Sequence, residues 1–308
     1  MILAQNLCKS YGKLQALDSL SLAVGPGDIY GFIGPNGAGK STTFKILATI
    51  LRPDSGTVTI DGVPITDGDT IRGLIGYMPD TFGVYEDMTV YQYLDFFGAA
   101  YYIPAANRRS LIDDILELTD LGFKRDAMVQ SLSRGMQQRL GVARVLVHDP
   151  KVLILDEPAS GLDPRARIEF RELLRELSRM GKTIIISSHI LAELSEICTR
   201  VGIVEQGRVA FEGSRAELED RLRGLARIIV EVHPDDHALA SRALAEAACI
   251  AAVEESPGSM TLQTAEGFDA IEEIPALLVA QGVRLRRFEP ERLSLEKAFL
   301  ALTEGKLA

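Results

Sequence analysis

One segment constrains this chain more than any other. Gly34-Pro35-Asn36-Gly37-Ala38-Gly39-Lys40-Ser41-Thr42 follows the apolar run Ile29–Ile33 and opens a stretch of helical periodicity, Ser41–Leu51. The spacing is GxxxxGK[ST], set between a strand and a helix. Glycines let successive backbone N–H groups curl toward one anion. The N-terminus of the following helix adds partial positive charge. Lys40 is then expected to reach the β- and γ-phosphates of a nucleotide, and the Ser41 hydroxyl to bind a Mg²⁺ that bridges them. Such a loop needs a buried strand beneath it and a helix behind it.

The rest of the first two thirds repeats that order. Candidate strands are Ile29–Ile33, Gly56–Ile60, Leu74–Tyr77, Val152–Leu155, Thr183–Ser187 and Val201–Glu205. Several are almost continuously apolar, as strands covered on both faces are. Candidate helices are Ser41–Leu51, Val90–Ala99, Arg108–Leu118, Gly135–Val147, Arg165–Arg179 and Ala192–Cys198. The alternation predicts a largely parallel α/β sheet. From about Glu86 to Met136 it breaks into helices without a strand, which reads as a helical insertion. Gln206-Gly207-Arg208 marks a hairpin turn. The charged helix Arg215–Arg223 closes a first domain, 1–223. The second, 224–308, reads strand Arg227–Val232, helix Ala238–Ala248, strands Ile250–Glu254 and Met260–Thr264, helix Ala270–Gln281, strand Val283–Phe288 and helix Ser294–Leu302. That βαββαβ order predicts a small α+β, ferredoxin-like unit.

Two further groups carry chemistry. Val152–Leu155 ends in Asp156-Glu157, so a buried strand delivers two carboxylates to the nucleotide edge of the sheet. Asp156 is expected to hold Mg²⁺ and Glu157 to act as general base toward water. His189 follows the strand Thr183–Ser187 at the same edge and is placed to hydrogen-bond a γ-phosphate.

Charge excludes other classes. With 33 basic and 43 acidic residues the chain carries a net charge of −10, which argues against the phosphate backbone of nucleic acid as a partner. The three cysteines, Cys8, Cys198 and Cys249, form no readable disulfide or metal pattern and suit a reducing compartment. No apolar run approaches the ~20 residues of a membrane span. Met1–Asn6 lacks the basic start and apolar core of a signal peptide. The expectation is a soluble protein that reaches any membrane through another chain.

Over about Ile2–Arg223 these residues resemble the ATP-binding subunit of an ABC transporter. Beyond the two phosphate-site motifs, Leu132-Ser133-Arg134-Gly135-Met136-Gln137-Gln138-Arg139-Leu140 is similar to the family's LSGGQ signature, and Ser160-Gly161-Leu162-Asp163 to its D-loop. His189 falls at the switch histidine, Tyr11 at the aromatic that stacks on adenine, and Gly76-Tyr77-Met78-Pro79-Asp80 at the Q-loop. The wording is most similar to ABC-2 type, multidrug-export-like ATPases, through Tyr85-Glu86-Asp87-Met88-Thr89-Val90 and Leu295-Glu296-Lys297-Ala298-Phe299-Leu300. The resemblance implies a P-loop core with antiparallel β and helical subdomains. It implies ATP and Mg²⁺ as ligands, and a homodimer or heterodimer in which Ser133, Gly135 and Asp163 of one subunit face the nucleotide of the other. It also implies a separate transmembrane permease, a location on the cytoplasmic face of the membrane, and export of drugs or lipophilic compounds. The alternatives are a soluble ABC-type ATPase acting on ribosomes or nucleic acid, and a regulatory nucleotide-binding module.

The sequence departs from the family at three places. Asp80 stands where glutamine is usual; as a hard oxygen ligand it can take the metal position. Arg134 and Met136 replace glycine and glutamine in the signature, with Arg134 expected to face solvent or the partner subunit. Aromatics concentrate at Phe82, Tyr85, Tyr91, Tyr93, Phe96, Phe97, Tyr101 and Tyr102, where a permease is expected to dock. Tyr93, Phe96 and Phe97 have helical spacing and equally suit the insertion's own core; Phe82 and Tyr85 are the better docking candidates. Arg284, Arg286 and Arg287 read as a solvated face.

Overall fold

A computed structural model describes residues 1–81, 83, 85, 87–190, 197–214, 216–218, 227–256, 258–264 and 271–291. Phe82 and most of the expected helices Ala192–Cys198, Arg215–Arg223 and Ser294–Leu302 lie outside the described residues. The chain divides into two compact units, one over Met1–Gly213 and one beginning at Ser214.

The first unit opens with a pair of long strands, β1 (Ile2–Tyr11) and β2 (Leu14–Val24), which the sequence pattern did not announce. Their pairing is interrupted by register shifts between Ala4 and Leu7, Leu7 and Lys9, and Lys9 and Ser10. Each shift breaks the period-two alternation that marks a strand. The order continues with β3 (Ile29–Ile33), α1 (Lys40–Leu47), β4 (Ser55–Ile60), β5 (Val63–Pro64), α2 (Gly68–Leu74) and β6 (Ile75–Met78). Then come α3 (Val90–Ala100), α4 (Ala105–Leu118), α5 (Arg134–Leu146), β7 (Val152–Leu155) and α6 (Pro164–Arg179). The unit ends with β8 (Thr183–Ser188), β9 (Arg200–Glu205) and β10 (Arg208–Ser214).

Two sheets result, ordered β2-β1-β4-β5 and β10-β9-β3-β8-β7-β6. In the second, β6, β7, β8, β3 and β9 pair in parallel, and β3, β7 and β8 are buried along their whole length. Burial on both faces explains their unbroken apolar runs. The β1–β4 sheet packs its inner face, with Leu7, Leu20 and Val58, into the same core as Phe32 and Phe44.

Among the described residues between β6 and β7 the chain forms helices and turns, with one isolated bridge, Thr89 to Met128. A capping box starts α3: Thr89 Oγ1 accepts from Gln92 N at 3.2 Å, and Gln92 Oε1 accepts from Thr89 N at 2.9 Å. Tyr93 belongs to the core, fully buried, with Phe97 edge-on to it at 5.1 Å between centroids. Half-exposed Tyr85 packs on this cluster, its ring 5.4 Å from that of Phe96.

The second unit has β11 (Arg227–Val232), α7 (His237–Ala245), β12 (Ile250–Ser256), β13 (Ser259–Thr264), α8 (Glu273–Ala280) and β14 (Leu285–Glu291). Its sheet order is β12-β13-β11-β14 with every neighbour antiparallel, the arrangement of a ferredoxin-like sandwich. Ala240, Leu244, Ile274 and Leu278 of the two helices close over Ile228, Val230 and Leu262 of the sheet. Arg284 and Arg287 are exposed but not merely solvated: Arg284 Nε donates to Asp236 at 2.7 Å, and Arg287 to Glu231 at 3.0 Å.

Candidate active site

Strand register assembles the site. Ile33 at the end of β3 lies beside Ser188 of β8, and Leu155 at the end of β7 lies between Ile186 of β8 and Met78 of β6. Gly34, Asp156 and His189, which directly follow their strands, and Asp80, two residues beyond β6, therefore emerge at one edge. Backbone bonds fasten that edge: Gly34 N donates to Ser188 O at 3.2 Å and Asp156 N to Met78 O at 2.8 Å.

The Gly34–Thr42 loop is curled as its composition requires. Ala38 N donates to Pro35 O at 3.2 Å. Gly39, which precedes α1, has φ +102°, and a Cβ there would meet the Ala16 carbonyl oxygen at 2.6 Å. Asn36 and Gly37 form the exposed crest, while Ser41 and Thr42 lie in the first turn of α1 with Ser41 exposed. Lys40, only 6% exposed, folds back over the loop. Its Nζ donates to Gly34 O at 2.8 Å and Pro35 O at 3.2 Å, and stands 3.3 Å from Glu157 Oε1.

Asp156 is 2% exposed. Burial raises its carboxyl above the ordinary range; the Ser187 and Ser41 hydroxyls pull it back, and the charges of Glu157 and Asp80 push it up again. Ser187 Oγ donates to Asp156 Oδ1 at 2.6 Å and accepts from Glu157 N at 2.8 Å. Glu157 has a left-handed backbone, φ +48°. Its Oε2 lies 2.9 Å from His189 Nδ1. Asp80 is exposed, and its charge also acts on Tyr77, whose hydroxyl is pushed up to about 12, chiefly by burial. Lys40, Ser41, Asp156, Glu157 and His189 are thus brought together.

The donor set fits a magnesium nucleotide. Among the described residues no three His, Cys, Asp or Glu side chains form a metal site on their own. Mg²⁺ needs only one or two protein oxygens when phosphates supply the others, and Ser41 and Asp156 are hard oxygens in reach of each other. Glu157 Oε1 is buried with no hydrogen-bond donor of its own, its one charged neighbour being Lys40 Nζ at 3.3 Å, so the oxygen gains a free lone pair when Lys40 turns to phosphate.

The remaining expected residues stand elsewhere. Tyr11 ends β1, 47% exposed, paired with Leu14 across a turn. Ser133, Gly135 and Asp163 line a different cavity, about 360 Å³, together with Phe123, Met136 and Arg139. Ser133 caps α5: its hydroxyl oxygen accepts from Met136 N at 3.4 Å, which leaves its own hydrogen and a second lone pair free. Asp163 caps α6, accepting from Ala166 N at 2.8 Å. Arg134 is exposed, as expected, and its Nε donates to Ser160 O of the same chain at 3.1 Å.

Ser187 was missed in the sequence. It reads there as the last residue of an apolar strand, and only the β7–β8 register reveals it beside both acids.

A glycine loop between a buried strand and a helix, set in a parallel sheet with paired acids on the next strand but one, defines a P-loop nucleoside-triphosphatase fold. Residues 17–160 match the family model described as ABC transporter. The chain is 43% identical over 211 residues to the Nod factor export ATP-binding protein I of Paraburkholderia xenovorans, covering 68% of this chain and 69% of that protein. It is 30% identical over 306 residues to the linearmycin resistance ATP-binding protein LnrL of Bacillus subtilis, covering 98% of each. A dimeric structure of a bacterial ABC transporter cassette, MJ0796, superimposes with a TM-score of 0.64 at 26% identity, covering 70% of this chain and 99% of that one. The chain belongs to the ABC transporter family, as an ATP-binding, ATP-hydrolysing subunit. Such subunits work as dimers and with transmembrane components. Among the described residues no helix is long and apolar enough to cross a membrane.

Proposed function

We propose that this chain is the motor of an export system: two ATPase units close on ATP and Mg²⁺, and hydrolysis reopens them to drive a separate transmembrane subunit from its cytoplasmic side. The observation that carries this reading is the meeting of Lys40, Asp156, Glu157 and His189 beside the Gly34–Thr42 loop. Export is supported by the names of its relatives, which concern Nod factor export and linearmycin resistance. A lipophilic cargo is the corresponding proposal for this chain.

The roles follow from the distances. The loop N–H groups and Lys40 hold phosphate charge, and Lys40 leaves the Gly34 and Pro35 carbonyls as it does so. Ser41 and Asp156, with Asp80 nearby, hold Mg²⁺, which when bound neutralises the phosphate oxygens. Glu157 accepts a proton from water as the water oxygen attacks the γ-phosphorus in line and the bond to the β-phosphate oxygen breaks. His189, at 2.9 Å, fixes the Glu157 carboxylate and bonds the γ-phosphate. Tyr11 stacks on adenine. Ser133 and Gly135 at the N-terminus of α5, and Asp163, complete the nucleotide site of a second copy or of a related chain. Half-exposed Tyr85, on the aromatic cluster of α3, belongs to the surface that meets the transmembrane subunit.

Glu157→Gln is the test. It should bind ATP, run as a dimer in gel filtration with ATP and Mg²⁺, and hydrolyse about 10²–10⁴-fold more slowly, the usual worth of a general base. Wild-type turnover would remove Glu157 from that role. Recovery of the tagged chain from membranes with a polytopic protein tests the transport half.

A further inference from the structure

The first turns of α5 and α6 meet through a contact that the phosphate chemistry does not use. Gly135 faces Ala166 closely enough that a Cβ on Gly135 would lie 3.2 Å from that methyl. Arg134, in the first turn of α5, reaches across and its Nε donates to Ser160 O at 3.1 Å. Its guanidinium lies flat against Gly161, where a Cβ would come within 2.6 Å of the guanidinium carbon. Gly161, at φ +70°, leaves that space. The N–H of the same residue, Ser160, donates to Glu157 O at 3.1 Å. One residue, Ser160, thus links the Glu157 backbone to Arg134 through its two flanking peptide groups. Lower on the two helices, Arg139 pairs with Glu169.

Helix stability does not explain this arginine. A cation in the first turn opposes the helix dipole. Among the described residues Arg134 pairs with no carboxylate. What it does make is a directed bond to the turn that begins at Glu157 and ends at the α6 cap, Asp163.

We propose that Arg134 is a positioning residue that braces this turn, holding Glu157 at one end and Asp163 at the other in register with Ser133. The inference rests on the ATPase reading above for its kinetic consequence and on geometry alone for its structural one.

Two neutral variants isolate the bond. The amide nitrogen of glutamine stands as many bonds from Cα as the arginine Nε, so Arg134→Gln keeps the donor and loses the charge. Arg134→Met keeps the length and loses the donor. In the nucleotide-free protein, hydrogen exchange at the amides of Ser160 and Leu162 should quicken about five-fold in Arg134→Met and stay within about two-fold of wild type in Arg134→Gln. With ATP and Mg²⁺, kcat should fall about five-fold in Arg134→Met with KM held, and recover in Arg134→Gln. Equal behaviour of the two variants overturns the brace, as does a rise in KM with kcat unchanged, which would put the cation on nucleotide. If Arg134→Met does not fold, Arg134→Ala takes its place. If the wild type itself hydrolyses no ATP, the ATPase reading fails and the exchange comparison still decides the brace.

Discussion

Ser187 offers the sharpest test of how the acids are held. Its hydroxyl, on a residue 1% exposed, gives a hydrogen to Asp156 Oδ1 at 2.6 Å and takes one from Glu157 N at 2.8 Å. Ser187→Ala removes both bonds and leaves a carboxylate oxygen and a backbone N–H unpartnered. Each orphaned buried group costs about 1–3 kcal/mol. The Ser41 hydroxyl still serves Asp156, and Glu157 is only partly buried, so the lower end applies to each. The expected loss is about 2–3 kcal/mol in a urea unfolding curve at pH 7. Only the part that positions the base reaches the rate. One bond at Glu157 N, about 1 kcal/mol, is worth roughly five-fold in kcat. Ser187→Thr restores the hydroxyl on a residue type that suits a strand, and should recover most of the turnover. Wild-type stability to within about 0.5 kcal/mol, together with wild-type kcat in Ser187→Ala, would refute the view that β8 holds the acids.

Two further expectations follow from burial and backbone geometry. Gly39→Ala forces a side chain into φ +102° and against the Ala16 carbonyl at 2.6 Å, so titration with a fluorescent ATP analogue should find affinity at least about ten-fold weaker, the backbone strain alone being about 1–3 kcal/mol; unchanged affinity would show that the loop can move aside. Burial pushes the Cys198 thiol up to about 12, whereas hydrogen bonds from Ser55 and Ser19 lower that of half-buried Cys8. Since the thiolate is the reactive form, iodoacetamide at pH 8 should modify Cys8 at least about ten times faster than Cys198 by peptide mass spectrometry, and equal rates would contradict the burial of Cys198.

The parallel core was legible because its strands, β3, β7 and β8, are buried on both faces and so are written as unbroken apolar runs. The first two strands were not, for the opposite reason. Leu7 is buried only because the chain bulges after Ala4, with Asn6 at φ +50°; a pattern reader that counts in twos loses the phase there. Short α2 carries Gly68 and Gly73 in seven residues, which conceals it behind poor helix propensity. In the second unit the βαββαβ order needed no exact boundaries, since pairing of β11 between β13 and β14 follows from alternation that the bulges do not disturb until Glu231.

At the site, the motifs named the reacting groups but not what holds them. Glu157 sits at φ +48°, a conformation that costs a non-glycine residue about 1–2 kcal/mol. No local signal in Asp156-Glu157-Pro158 requires that turn. It persists because partners from distant segments surround it: Ser187 from β8 at the nitrogen, Lys40 from α1 and His189 from the β8 edge at the carboxylate, and Ser160 at the carbonyl. Three of these four contacts cross between segments whose adjacency is set by the strand order β3-β8-β7, which is a property of the folded sheet and of no single stretch of sequence. The strain at the base is therefore carried by the sheet edge as a whole, so a substitution at Ser187 or Arg134 changes the same turn from opposite sides.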